Sequence, residues 1–205
     1  MKKQFLLLAF FILHFSLVDA QTALKPAINQ KSDALKDQVI AWRRDFHEHP
    51  ELGNQEFRTA GIIAAHLKSL GLEVQEKVAI TGVVGILRGG KPGPVVALRA
   101  DMDALPIIEQ TGLAYASQTH GKMHACGHDG HTAMLLGAAR YLAETRNFDG
   151  TAVCIFQPAE EGGGGGREMV AEGMMERFGI QEVYGMHNMP GIPVGAFGIR
   201  DGAMM

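Results

Sequence analysis

Apolar positions along the chain recur with two spacings, one typical of helices and one typical of strands. Helical spacing predicts a helix from about Ser32 to His49, followed by helices at 56–70, 131–145 and 167–177. Short apolar runs bounded by turn residues predict strands at 72–78, 83–87, 95–98, 152–156, 182–186 and 195–199. Because helices and strands alternate, the pattern predicts an α/β domain, in which a central mixed sheet is layered between helices on both faces.

Residues 1–20 have the pattern of an export signal. Lysines precede an apolar run over 5–18, and Val18-Asp19-Ala20 ends the run in the manner of a signal-peptidase site. The run is short for a bilayer-spanning helix, so we expect a cleaved signal peptide and a periplasmic or secreted protein, with an N-terminal anchor or a buried helix as the alternatives. We expect 21–35 to be a flexible lead-in and 36–205 to form the domain.

Composition narrows the possible classes of protein. Hydrophobic residues make up 46% of the chain and charged residues 20%, which is typical of a globular protein and not of a disordered one. The sequence pI is near 6.3, and the charges are mixed without a basic block, so nucleic-acid binding is not expected. No segment after residue 20 is apolar and long enough to span a membrane, so no membrane contact is expected once the signal is removed.

Side chains that can bind metal ions gather at four places, of which three follow predicted strands and one precedes the predicted helix at 131–145. Cys126 and His128 are two positions apart, so in an extended backbone a thiolate and an imidazole point to the same side. Asp101 and Asp103 have the same spacing after the strand at 95–98.

Glu160 and Glu161 follow the strand at 152–156, and adjacent carboxylates repel each other unless a cation or a proton lies between them. Neighbouring residues point in different directions, so one carboxylate can bind metal while the other faces water or a substrate. His187 follows the strand at 182–186. Together these strand ends predict one polar site at the carboxyl edge of the sheet, holding one or two divalent cations.

Each feature also has an interpretation without function. Cys126 alone fits a small buried residue or a disulfide partner of Cys154, although Cys154 lies within an apolar strand. Glu160-Glu161 alone fits a solvated turn, His187 a surface or core histidine, and Asp101 and Asp103 turn formers. The glycines at 162–166 are not followed by the Gly-Lys-Ser/Thr of a phosphate-binding loop. The joint occurrence of the features after strands favours the metal site.

The motifs at 99–106, 123–131, 157–166 and 186–187, together with the opening at 43–53, resemble the M20 family of metallopeptidases and amidohydrolases. Within it the chain is most similar to the subgroup that acts on N-acyl amino acids, which includes hippurate hydrolases and auxin-conjugate hydrolases. The resemblance implies two divalent cations, as zinc, manganese, cobalt or nickel, bound by Cys126, His128, Glu161 and His187. It implies Glu160 as the general base and Asp103 as the residue that orients a ligand.

The reaction implied by the resemblance is hydrolysis of the amide bond of an N-acyl amino acid or small peptide by a metal-activated water. Members of that family are longer, and after the segment at 195–205 they insert a lid and dimerisation domain before a final metal-binding histidine. We therefore expect an incomplete M20 catalytic domain without the lid, and a homodimer in a full-length protein. The alternative is a metal-binding fragment without catalytic activity.

Overall fold

The computed structural model describes residues 2–199, 201 and 202, and the side chains from residue 24 onward. In this part of the chain the helices are α1 (Lys2–Glu48), α2 (Phe57–Ser69), α3 (His128–Thr145), α4 (Gly165–Ala171) and α5 (Met174–Phe178). The strands are β1 (Glu73–Val78), β2 (Gly82–Arg88), β3 (Val95–Asp101), β4 (Thr151–Gln157) and β5 (Glu182–Gly185).

The five strands form one mixed sheet in the order β1-β2-β4-β3-β5. β1 and β2 are antiparallel, and β2 and β4 are antiparallel. β3 lies parallel to both β4 and β5, with Asp101 opposite Gln157 and Arg99 opposite Gly185. The carboxyl ends of β3, β4 and β5 therefore share one edge of the sheet, which is where α/β domains place their sites.

Helices cover both faces of the sheet, which confirms the predicted fold class. Alternate residues of β4 point to opposite faces: Cys154 and Phe156 join a core with α2 and α3, whereas Val153 and Ile155 join a second core with α4 and α5. α1 packs on α3. Because both faces of β2 and β4 are covered, these strands are almost continuously apolar instead of alternating.

The lead-in predicted as flexible over 21–35 is helical in the structure, where it belongs to α1. Ala, Leu, Lys and Gln recur in this stretch, and their high helix propensity extends the packed part of α1 toward the N-terminus even though the side chains from Leu24 to Ala34 are exposed. The predicted signal peptide at 1–20 lies where the structure describes no side chains, and it stays a prediction. Within the described residues, no helix has the length and apolar character needed to cross a membrane.

Two further predictions near the C-terminus were wrong. The single helix expected over 167–177 is divided into α4 and α5, because Gly173 between them adopts a φ of 77°. The strand expected over 195–199 is irregular, and Phe197 and Ile199 are 84% and 94% exposed. A strand needs a hydrogen-bonded neighbour, and among the described residues none lies beside this segment.

Candidate metal centre

Three chain segments leave the carboxyl edge of the sheet side by side. β3 continues into Met102 and Asp103, β4 continues into the loop at 158–164, and β5 continues into 186–189. The N-terminus of α3, at His128, lies against all three. The parallel arrangement of β3, β4 and β5 thus brings together residues that are far apart in sequence, as the strand ends predicted.

His128 is the central residue of this site. Its side chain is fully buried, and its Nδ1 lies 2.9 Å from the backbone oxygen and 3.2 Å from Oδ1 of Asp103. With Nδ1–H donating to Asp103, the lone pair is on Nε2, and this buried nitrogen has no hydrogen-bond partner among the described residues. Burial by itself would lower the pKa of His128, but the hydrogen bond to Asp103 and the charge of Asp101 raise it overall.

Cys126 and His187 lie close to each other and to His128. The Sγ of Cys126 lies 3.3 Å from Nε2 of His187. His187 donates from Nδ1 to the backbone oxygen of Asn188 at 2.7 Å, so its Nε2 also carries the lone pair that faces the site. Potential ligand atoms of Cys126, His128 and His187 all lie within 4.8 Å of one another.

The route by which Cys126 and His128 meet differs from the expected one. The sequence spacing suggested an extended backbone, but the residue between them, Gly127, has a φ of 97° and is the N-cap of α3. The left-handed turn at Gly127 directs the thiol and the imidazole to the same site, and glycine is the residue that adopts this conformation without strain.

Glu160 and Glu161 both reach His128, although neighbouring residues were expected to diverge. Oε2 of Glu160 is 3.8 Å and Oε1 of Glu161 is 4.0 Å from Nε2 of His128. The two carboxylates differ in their access to solvent: the side chain of Glu160 is 38% exposed and that of Glu161 is 24% exposed. Oε1 of Glu161 is buried and, within the described part of the chain, has no hydrogen-bond partner.

The loop that carries these two glutamates is fixed by other carboxylates. Oδ2 of Asp103 accepts the backbone N–H of Glu161 at 2.8 Å. Glu56, which is fully buried, accepts the backbone N–H of Ala159 at 2.8 Å and the hydroxyl of Thr81 at 2.5 Å. Burial raises the pKa of Glu56, and these hydrogen bonds only partly offset that effect. Glu56 follows the opening motif at 43–53 in the sequence, but its contact with the loop was not predicted.

The glycine run at 162–166 allows the same loop to fold back on itself. A Cβ at Gly165 would lie 1.9 Å from the backbone oxygen of Pro158, and one at Gly163 would lie 2.6 Å from the Cβ of Ala159. These glycines therefore hold the backbone of the loop close to its own beginning, and they do not form a phosphate-binding loop.

Asp101, the last residue of β3, lies by Nε2 of His128, whereas Asp103 lies by Nδ1. Its Oδ2 is 3.6 Å from Nε2 of His128 and 2.7 Å from Nη1 of Arg99, and its Oδ1 is 2.7 Å from Nδ1 of His131. Burial by itself would raise the pKa of Asp101, but His131, Arg99 and His128 together lower it to about 2. Asp101 is therefore a charged, paired group and not a turn former.

The electrostatics of the site favour a bound cation. Burial and the neighbouring carboxylates of Glu161, Glu160 and Asp101 raise the pKa of the Cys126 thiol to about 11, because they disfavour a further negative charge. A divalent cation would reverse this effect and would also satisfy the unpaired Nε2 of His128 and Oε1 of Glu161. Sulfur, imidazole and carboxylate donors in one cluster suit zinc and related transition metals.

The disulfide alternative does not fit this geometry. Cys126 and Cys154 are both free thiols, and Cys154 is buried in the middle of β4. Burial raises the pKa of the Cys154 thiol to about 12. Cys154 is therefore part of the core, and Cys126 alone faces the site.

Comparison with known proteins agrees with this description of the site. The family model described as peptidase family M20/M25/M40 matches residues 97–202. That range includes most of β3, all of β4 and β5, and every residue of the cluster around His128. The chain belongs to the M20 peptidase family.

This M20 chain is 50% identical to a hippurate hydrolase of Campylobacter jejuni over 80% of its own length and 42% of the relative. It is 47% identical to an IAA-amino acid hydrolase of Arabidopsis thaliana, over 85% of its length and 39% of the relative. The crystal structure of the YXEP protein of Bacillus subtilis, described as a dinuclear metal binding peptidase, has 45% identity and a TM-score of 0.78, covering 83% of this chain and 48% of that one. The M20 chain thus spans less than half the length of these relatives.

Proposed function

We propose that this M20 chain is the metal-binding part of a hydrolase that cleaves the amide bond of N-acyl amino acids or small peptides. The single observation that supports this proposal most directly is the arrangement around Nε2 of His128. This buried, unpaired nitrogen has the thiol of Cys126, the imidazole of His187 and the carboxylates of Glu160 and Glu161 around it. Of the atoms in this cluster, Nε2 of His128 and Oε1 of Glu161 have no hydrogen-bond partner among the described residues, and a bound cation would supply one.

We further propose that Cys126, His128, Glu161 and His187 hold the metal ions, of which the dinuclear M20 relative suggests two. Cations bound there would supply Lewis acidity, which polarises an amide carbonyl and acidifies water. Asp103 would keep the Nδ1 proton of His128 in place, so that Nε2 remains the ligand atom. The donor set is compatible with zinc, manganese, cobalt or nickel.

Glu160 is the group we propose as general base. It lies as close to His128 as Glu161 does, but its side chain is more exposed, so it can contact both water and a substrate. Its carboxylate would take a proton from the attacking water and transfer it to the amine that leaves. A base in this role contributes about 10²–10⁴-fold to the rate.

The substrate class is suggested by the names of the relatives. One is named for hippurate, which is the N-benzoyl derivative of glycine, and another for an IAA-amino acid. The products would be a carboxylic acid and a free amino acid. The chain spans less than half of each relative. Formation of a homodimer, and the contacts that the other parts of such proteins make, are therefore proposals as well. Export through the signal sequence at 1–20 is proposed as well.

The test uses the purified 205-residue chain with Zn²⁺ or Mn²⁺ and hippurate, and it measures glycine release alongside bound metal. We expect Glu160→Gln to lower any hydrolysis by about 100-fold or more while bound metal is unchanged. Glu161→Gln should lower the bound metal itself. Glu168→Gln, which changes an exposed glutamate of α4 away from the site, is the matched control and should alter neither.

Each outcome of this test has a distinct meaning. Hydrolysis that survives Glu160→Gln would eliminate Glu160 as the base. Bound metal without turnover in the unmodified chain would instead support the metal-binding fragment that lacks catalytic activity. A chain that binds no metal would refute the proposed function as a whole.

A further inference from the structure

The segment that carries His187 has little support from the protein core. Every described residue from Gln181 to Ile199 is exposed, and β5, which leads into the segment, lies at the edge of the sheet. Yet His187 must be placed to within a fraction of an ångström to share a metal ion with Cys126 and His128. Residues outside the segment must therefore hold it in position.

We propose that His131 is a positioning residue, which holds Asn188 and thereby places Nε2 of His187 in the metal site. This inference rests on the proposed function, because it assumes that His187 is a ligand. His131 lies on α3, one helical turn after His128, and its side chain is buried. It thus provides the rigid support that the segment itself lacks.

The hydrogen bonds run in one direction from β3 to His187. Nδ1–H of His131 donates to Oδ1 of Asp101 at 2.7 Å, which leaves Nε2 of His131 as an acceptor. The backbone N–H of Asn188 donates to that Nε2 at 3.1 Å, and the side-chain amide of Asn188 contacts the same nitrogen, to which its –NH2 group can donate. The backbone oxygen of Asn188 in turn accepts Nδ1–H of His187 at 2.7 Å, so that Nε2 of His187 faces Cys126.

The first bond in this series fixes the tautomer that the second requires. The carboxylate of Asp101 is buried beside Nδ1 of His131 and can only accept, so it holds the proton of His131 on Nδ1. If His131 carried its proton on Nε2, it could not accept the N–H of Asn188. Asp103 orients His128 by a direct hydrogen bond, whereas Asp101 acts on His187 through His131 and Asn188.

Two further contacts support the same function for His131. The ring of His131 packs edge-on against the ring of His187, with centroids 4.6 Å apart. The side-chain amide of Asn188 lies over Gly127, where an added Cβ would be 2.2 Å from Oδ1 of Asn188. The amide therefore occupies the space that glycine leaves open next to Cys126. The segment that carries His187 therefore contacts both α3, through His131, and the backbone turn at Gly127.

The first test measures hydrogen exchange at the amide of Asn188 in the 205-residue chain without added metal. In the unmodified chain we expect this amide to be protected relative to its exposed neighbours, since its N–H is bonded to His131. His131→Leu removes the acceptor and should abolish the protection. His131→Gln should restore part of it, because one amide can donate to Asp101 and accept from Asn188. His120→Leu, at an exposed histidine, is the control.

The second test titrates each variant with Co²⁺ and follows the visible absorption of the bound ion, which reports its ligands. We expect His131→Leu to weaken binding by about 10-fold or more and to change the spectrum, with partial recovery in His131→Gln. In a His187→Ala background, His131→Leu should cause little additional loss, because its effect acts through His187.

Unchanged exchange at Asn188 in His131→Leu would overturn the inference. So would a loss of Co²⁺ affinity that is equally large in the presence and absence of His187. If the unmodified chain binds no metal, the proposed function fails, whereas the exchange experiment still decides whether His131 holds Asn188. The two proposals can therefore fail separately.

Discussion

Asp103 contacts Nδ1 of His128 with two of its oxygen atoms, the backbone carbonyl at 2.9 Å and the carboxylate Oδ1 at 3.2 Å. The second carboxylate oxygen of Asp103 accepts the N–H of Glu161. One aspartate thus fixes the tautomer of an expected ligand and the position of the loop that carries two further acidic groups.

From this arrangement we expect Asp103→Ala to weaken the binding of Zn²⁺ by about 10- to 100-fold, the usual effect of removing a residue that orients a metal ligand. Competition with a chromophoric chelator measures the change. Asp37→Ala removes an exposed aspartate on α1 and is the matched control. Equal affinities of Asp103→Ala and the unmodified chain would show that Asp103 does not orient the ligand.

Asp101 should make the stability of the fold depend on pH in the acidic range. Its pKa is lowered from 3.8 to about 2 in the folded chain, so its ionised form stabilises the fold above pH 3.8, and this contribution disappears as the pH falls through about 2. The shift corresponds to about 2 kcal/mol at neutral pH. Urea unfolding of the unmodified chain and of Asp101→Asn should show a difference that shrinks between pH 5 and the acid limit of folding. A constant difference would contradict the pairing with His131 and Arg99.

Glu56 should make the stability of the fold depend on pH with the opposite sign to Asp101. Burial raises its pKa above 4.5 in the folded chain, so the fold is favoured while Glu56 is protonated, and that advantage is lost as the pH rises through the raised pKa. Glu56→Gln does not titrate, and its amide can still accept from Ala159 and donate to Thr81. We expect the stability of Glu56→Gln relative to the unmodified chain to increase from pH 4 to pH 8, measured by urea unfolding.

Glu56→Ala provides the contrast to that substitution. It leaves the backbone N–H of Ala159 and the hydroxyl of Thr81 without their buried acceptor and opens a cavity, so we expect a loss of about 2–4 kcal/mol at any pH. If the alanine and glutamine variants were equally stable, the hydrogen bonds of Glu56 would not be what fixes the loop.

The glycine run gives a prediction with an internal control. A methyl group at Gly165 would overlap the backbone oxygen of Pro158, so we expect Gly165→Ala to cost about 1–3 kcal/mol and to disturb the Glu160–Glu161 loop. Gly61 lies in α2 and is exposed, and an added Cβ there meets no atom within 4 Å. Gly61→Ala should therefore stabilise the chain by about 0.5–1 kcal/mol. Thermal unfolding of both variants distinguishes a local steric effect from a general response to alanine.

The parts of this structure that could be predicted depend on short-range patterns. Apolar runs stop where β3, β4 and β5 end, and the residues that follow, such as Asp103 and His187, could be placed at one edge by the rules of parallel sheets. Glu56 could not be placed in the same way, since it is 103 residues from Ala159 and no periodicity connects them. The support of His187 by His131 is equally non-local.

Other differences between the prediction and the structure arose where the local propensity of the residues and their tertiary surroundings favour different conformations. The residues at 195–199 are apolar enough for a strand, but in the described chain they have no neighbouring strand to pair with. The lead-in at 21–35 is polar enough for a linker, yet its helix-forming residues are continuous with the packed part of α1. At Gly127 the expected meeting of Cys126 and His128 occurs through a left-handed turn, which a two-residue spacing alone does not reveal.

β3 lies between two parallel neighbours and ends at Asp101, two residues before Asp103, and each of these aspartates determines which nitrogen of a histidine is protonated. Sliding this strand by one position would turn its side chains to the opposite faces, carrying both carboxylates away from their imidazoles in a single movement. The hydrogen-bond ladders to β4 and β5 oppose such a slip from both sides. The alignment of three backbones thus determines where two protons reside.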